Sequence, residues 1–217
     1  MKSWPVLVLA AAMLAAALPA KAEYEVIAQT NVEYAQHDGV KLVADLYQPK
    51  GLAKAPAVIA VHGGGWQNGS RAGYRYWGPY LAKNGYVVLS IDYRLGKAGT
   101  YPGSVYDLKA AIQFVRAKAA DLGVDPDRIG LMGDSAGAHL VALVGLAGGE
   151  PQFSSAYRDD PHAATPANVK AVVGFYGVYG WRSGSTIRSR ARATRSSRNS
   201  WAPRRCRTGA SISSPRR

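Results

Sequence analysis

Cysteine is almost missing from this chain. Its single thiol, Cys206, has no second cysteine to meet, so an internal disulfide is excluded. Metal-ligand spacing is missing too, because the four histidines (His37, His62, His139 and His162) are scattered rather than paired. Neither G-x-G-x-x-G nor a glycine loop ending in Gly-Lys-Ser/Thr occurs, which argues against a nucleotide phosphate cradle. The apolar run from Val6 to Leu18 falls short of the roughly 20 residues of a spanning helix, so no stable membrane span is expected. With Lys2 before it and Ala20-Lys21-Ala22 after it, residues 1–22 read as a secretory signal cleaved ahead of Glu23. The mature protein is then expected to be secreted or periplasmic.

Negative charge runs out early. All 14 acids lie at or before Asp160, whereas the net charge of the whole chain is +13. Acidic and basic side chains balance over residues 23–180, so the excess lies outside them, eleven charges of it in residues 181–217 and two at Lys2 and Lys21. That segment holds nine serines and eleven arginines but no Asp, Glu, Lys or His, and its apolar residues are too sparse for a stripe. A disordered basic tail is one reading, since such composition cannot bury a core. The other is an out-of-frame read of a GC-rich gene, which yields mostly Arg, Ser, Ala, Pro and Gly; the absence of lysine favours it. Export argues against a nucleic-acid partner for the tail.

What is present between residues 23 and 180 is an alternation of strand and helix patterns. Val26 to Tyr34 and Val40 to Tyr47 flank Asp38-Gly39, a hairpin turn signal. Ala57–Val61, Tyr86–Ile91, Arg128–Met132 and Val169–Tyr176 are short apolar runs of the kind buried on both faces. From Val105, the residues Leu108, Ala111, Ile112, Val115, Ala119 and Leu122 form one helical stripe. Ser104 and Asp107 read as its capping box, which makes Asp107 a helix-start carboxylate. Repeated strand–helix–strand units predict a mostly parallel sheet with helices on both faces.

Two motifs carry chemistry. Gly133-Asp134-Ser135-Ala136-Gly137 is G-x-S-x-G with an apolar strand before it and a helix after it, the setting of a nucleophile elbow. His62-Gly63-Gly64-Gly65-Trp66 follows the third strand, where residues without side chains let backbone N–H groups approach a reacting oxygen. Both motifs, with Ile91-Asp92-Tyr93-Arg94-Leu95 and Asp125-Pro126-Asp127-Arg128-Ile129, resemble the α/β-hydrolase fold over residues 24–180. More narrowly, they are similar to the HGGG-type esterase and lipase group, which includes hormone-sensitive-lipase-like carboxylesterases and bacterial feruloyl- and acetyl-esterase-like proteins. The resemblance implies hydrolysis of small carboxylic esters, acylated carbohydrates among them, with no cofactor and no metal. It implies Ser135 as nucleophile, Gly63, Gly64 and Ala136 as oxyanion donors, and His62 and Gly65 as support for the oxyanion loop. Asp92 suits a structural role, and Asp134 supports the elbow. Trp66, Tyr74, Tyr76 and Trp77 are candidates for a substrate wall or for packing a helix.

The chain order implied by this fold is Ser, then Asp or Glu, then His. After Ser135 the only acids are Glu150, Asp159 and Asp160, and the only histidines are His139 and His162. His139 lies one helical turn beyond the serine, and His162 precedes the Val169–Tyr176 strand. Neither stands where the resemblance places the base, so the catalytic acid and histidine are expected to be absent and the hydrolase domain of residues 23–180 to lack its last strands. Two rival readings stay open: a non-catalytic binding protein on a hydrolase scaffold with a basic tail, and a serine peptidase of the same fold. The HGGGW loop favours the esterase side.

Overall fold

The Asp-Gly pair folds as its chemistry dictates. Asp38 and Gly39 both take positive φ, 52° and 75°, the requirement of a tight hairpin turn between β1 (Val26–His37) and β2 (Val40–Pro49). The computed structural model describes residues 23–150, 153 and 157–180; the expected leader (1–22) and the arginine–serine tail (181–217) lie outside the described residues. The described residues up to Tyr179 belong to one compact unit.

Beyond the hairpin the order is β3 (Ala55–Val61), a 3₁₀ turn at Arg71–Tyr74, α1 (Trp77–Lys83), β4 (Val87–Ile91), α2 (Gly103–Ala117), β5 (Val124–Asp134), α3 (Ala136–Ala147) and β6 (Ala171–Phe175). The strands form one sheet in the order β1-β2-β4-β3-β5-β6. β1 pairs antiparallel with β2 and β2 with β4, and every later pair is parallel. This is the mostly parallel sheet the alternation implied, and it is the α/β-hydrolase fold.

Each face has its own core, set by the two-residue period of the strands. Ile59 and Val61 of β3 with Leu89 and Ile91 of β4 join Leu108, Ile112, Leu140 and Val141 of α2 and α3. Ala60 and Val88 point the other way, toward Tyr47, Tyr74 and Ala82 beside α1. All five residues of β4 are buried, which explains why the interior strands read as unbroken apolar runs. At about 1.5–3 kcal/mol for each fully buried large apolar side chain, these two layers dominate the stabilisation.

Helix α2 corrects two expectations. It ends at Ala117, and Ala119 and Leu122 belong to the turns that lead into β5. Asp107 caps nothing. Its carboxylate is fully buried and accepts the Arg94 backbone N–H at 2.9 Å and Arg94 Nη2 at 2.9 Å, while Tyr157 donates to it at 2.6 Å. Burial pushes the Asp107 carboxyl up to about 6, with Arg94 pulling the other way.

Candidate active site

Ser135 sits at the junction of β5 and α3 with φ 49° and ψ −115°, a conformation that L-residues avoid. The flanking glycines make the turn possible. A side chain at Gly133 would bring its Cβ to 2.6 Å from the Gly137 carbonyl, and one at Gly137 would meet the Val61 carbonyl oxygen at 2.0 Å. So the helix can enter this close to the strand only through G-x-S-x-G. The Ser135 N–H donates to Phe175 O at 2.9 Å, and Ser135 O accepts the His139 N–H at 3.1 Å. These bonds fix the backbone and leave the hydroxyl without a partner among the described residues.

The oxyanion loop is wound by consecutive positive φ values at Gly64 (120°), Gly65 (61°) and Trp66 (60°). A Cβ at Gly64 would lie 2.0 Å from Asn68 O. His62 supports the loop from beneath. It is buried, stacks on Tyr93 with ring centroids 4.5 Å apart, and its Nδ1 lies 2.7 Å from Gly63 O. A carbonyl only accepts, so His62 Nδ1 carries the proton there. Tyr93 in turn donates to His62 O at 3.0 Å.

One of the three expected oxyanion donors is already engaged. The Gly63 N–H donates to Asp134 Oδ1 at 3.1 Å, because the loop crosses directly above the elbow: a Cβ on Gly63 would lie 3.0 Å from Ser135 Cβ. Among the described residues nothing accepts the N–H of Gly64 or of Ala136, the first residue of α3. These two remain available near Ser135. Asp134 is the tie between loop and elbow, and Tyr74 completes it by donating to the same Oδ1 at 3.0 Å. Burial first, and Asp134 beside them, push both phenols up, Tyr93 to about 12, so each stays a donor. Asp134 supports the elbow as its place in the motif implies, whereas no local pattern in the sequence marks Tyr74 as its partner.

Other candidates take structural places. Asp92 accepts from the Arg71 backbone N–H at 2.7 Å and pairs with its guanidinium, which also reaches Asp45 at 2.8 Å; this clamp holds the 3₁₀ turn that presents Tyr74. His139 Nδ1 lies 2.7 Å from Val178 O, and its ring meets the edge of Trp66 at 5.5 Å. His162 packs against Phe114, and His37 stacks on Tyr157 near Asp160. Tyr74 and Trp77 line a cavity of about 660 Å³ with Gly63, Asp134, Phe175 and Tyr176. Trp66 and Tyr76 do not; Tyr76 is exposed and packs on Trp77 and Tyr80. No group of three or more metal-binding side chains occurs among the described residues.

This geometry has close parallels. The model of the BD-FAE family matches residues 44–209. Esterase LipC of Mycobacterium tuberculosis is 42% identical over 134 residues, which cover 61% of this chain and 32% of LipC. A probable isoprenylcysteine alpha-carbonyl methylesterase of Oryza sativa is 37% identical over 136 residues, covering 62% and 32%. Among solved structures, the apo form of Thermogutta terrifontis esterase 2 superposes with a TM-score of 0.60 at 32% identity, covering 80% of this chain and 63% of that one. The Pyrobaculum calidifontis esterase gives 0.59 at 29%, covering 75% and 47%. The chain thus spans about a third of the length of these curated relatives. With the elbow, the HGGGW loop and the sheet order in place, the chain belongs to the BD-FAE family, among the α/β-hydrolase esterases and lipases.

Proposed function

We propose that this chain carries the nucleophile and oxyanion half of an exported serine hydrolase acting on small carboxylic esters. The observation that carries the reading is Ser135, held at φ 49° on the elbow directly beneath the HGGGW loop. In the reaction Ser135 Oγ attacks the acyl carbon and loses its proton to a base, while the carbonyl oxygen becomes an oxyanion. The Gly64 and Ala136 N–H groups receive that charge, and Gly63, tied to Asp134, holds the loop in place. Small esters fit the cavity beside Asp134, whose Tyr74 and Trp77 wall offers an apolar surface to acyl or alcohol groups, acylated sugars included.

The base is the weak point. Among the described residues no histidine side chain is hydrogen-bonded to the Ser135 hydroxyl, and His139 Nδ1 is held by Val178 O. We infer that the chain turns over at near background, since removing a triad member costs on the order of 10⁶ in turnover. Expression with its own leader tests both halves. The exported product is expected to begin at Glu23 and to hydrolyse p-nitrophenyl butyrate no faster than its Ser135→Ala variant. Rapid turnover lost in both Ser135→Ala and His139→Ala would overturn the inactivity and make His139 the base. Retention in the cytoplasm with residues 1–22 intact would overturn export.

A further inference from the structure

The described lysines that form ion pairs all lie at the surface. Lys41, Lys50, Lys83 and Lys118 each meet a carboxylate at 2.8 to 3.7 Å, with their side chains open to water. Lys109 reverses this arrangement. It is only 7% exposed, and its Nζ donates to a single carbonyl, Phe153 O. Among the described residues no carboxylate pairs with it. A buried lysine ordinarily has a partner charge, because an ammonium taken out of water without one is costly. Its place on α2 explains how it comes to be there. Val105, Leu108, Ile112 and Val115 turn to the core, while Lys109, Gln113 and Arg116, spaced by four and three, share another face. That face grips the segment between α3 and β6. Gln113 Nε2 donates to Ala163 O and Thr165 O, and Arg116 donates to Pro166 O and Asn168 O. Beside Lys109 the grip leaves a cavity of about 400 Å³, with Val144, Ala163, Ala167 and Val169 in its wall. Lys109 is the only charged side chain of that lining. Burial holds its amine below the ordinary lysine range, and no neighbouring charge opposes the shift.

We propose that Lys109 is a reactive amine and that its cavity takes small aliphatic aldehydes, which Lys109 captures as imines. A neutral amine with one N–H on Phe153 O keeps its lone pair for an electrophile. That pair adds to the aldehyde carbon. The two amine hydrogens then leave with the carbonyl oxygen as one water, and a C=N bond replaces the C=O bond. Nothing is oxidised or reduced, and no co-reactant is needed. An imine is less basic than the amine it replaces, so a wall that disfavours the ammonium disfavours the imine less. The apolar wall suits a short alkyl chain. An anion suits it less, because the lining has no second cation and Gln113 spends its amide on Ala163 and Thr165.

Reductive trapping on the full chain tests this. The protein is incubated with propanal and cyanoborohydride, which fixes each imine as a propyl-lysine, and the labelled positions are read by peptide mass spectrometry. At about pH 7 exposed amines are almost wholly protonated, so Lys109 is expected to label severalfold faster than Lys54 and Lys97, which are exposed. Above about pH 10 the exposed amines are neutral as well, and the order is expected to reverse, because access alone then decides. In denaturing urea the preference is expected to vanish. An aldehyde carried on dextran is too large for the cavity and is expected to label Lys54 and Lys97 while sparing Lys109. Labelling of Lys109 no faster than that of Lys54 and Lys97 at pH 7 would overturn the proposal. So would a preference that survives urea, which would place its cause outside the fold, or a Lys109 that the dextran aldehyde reaches as readily as propanal does. None of these outcomes depends on Ser135 chemistry.

Discussion

Ser135 is held in a backbone conformation, φ 49° and ψ −115°, that costs a side-chain-bearing residue about 1–3 kcal/mol. The Ser135 N–H bond to Phe175 O and the fit of Gly133 and Gly137 against the helix enforce it. Glycine would relieve the strain but would lose roughly 0.5–1 kcal/mol to its freer unfolded chain. Ser135→Gly is therefore expected to gain about 1 kcal/mol and raise Tm by a few degrees, whereas Ser135→Ala, which keeps the Cβ, leaves Tm unchanged. Identical melting temperatures for all three proteins would show that the elbow stores no strain. The serine was legible in the sequence because its constraints are local, two glycines at fixed spacing. Tyr74 and Gly63 were not legible as partners of Asp134, because they lie 60 and 71 positions away and no local pattern marks them.

At the scale of elements, α2 shows why a local signature misleads. Ser-x-x-Asp looks the same whether the carboxylate turns back to the helix end or is drawn to Arg94, 13 residues earlier in the chain. Only the packing of α2 against the loop after β4 decides, and there Asp107 becomes a fully buried ion. Its carboxyl stands at about 6, above the ordinary 3.8, with burial as the larger cause and Arg94 opposing it. The folded state therefore takes up a proton that the unfolded chain gives up. The stability this group contributes is full below 3.8 and is lost as pH rises through about 6. Compared with Asp107→Asn, which titrates nowhere, the wild type is expected to match the variant near pH 4 and fall below it at pH 7. The gap is on the order of 3 kcal/mol. His37, lowered by burial, titrates alike in both proteins and cancels. Urea unfolding at the two pH values reads the difference. A wild type more stable than the variant at pH 7 would mean that pairing with Arg94 outweighs desolvation.

For the molecule as a whole, the sequence shows which strands are interior but not which face stays open. Interior strands announce themselves because both of their faces are apolar. Whether a helix covers each face depends on where the crossovers run, and no single segment records that. Here α2 and α3 share the core on one face, while on the other α1 packs against β2 and β4. Among the described residues the sheet beside α1 is left with an apolar cavity of about 470 Å³, walled by Val58, Trp77, Leu81, Leu131, Val173 and Phe175. A parallel sheet is ordinarily covered on both sides, so this surface should take up an apolar probe in the native state. Nile red is the appropriate dye: it is neutral, so the net charge of +13 does not draw it to the surface. Bright, blue-shifted emission is expected well below the melting transition. Leu81→Lys, which sets an ammonium group in the cavity wall, should weaken dye binding roughly tenfold, a cost of about 1.4 kcal/mol. Ser135→Ala, at a residue that does not line this cavity, should leave it unchanged. Native emission no brighter than free dye, or emission indifferent to Leu81→Lys, would mean that this face is already covered in solution.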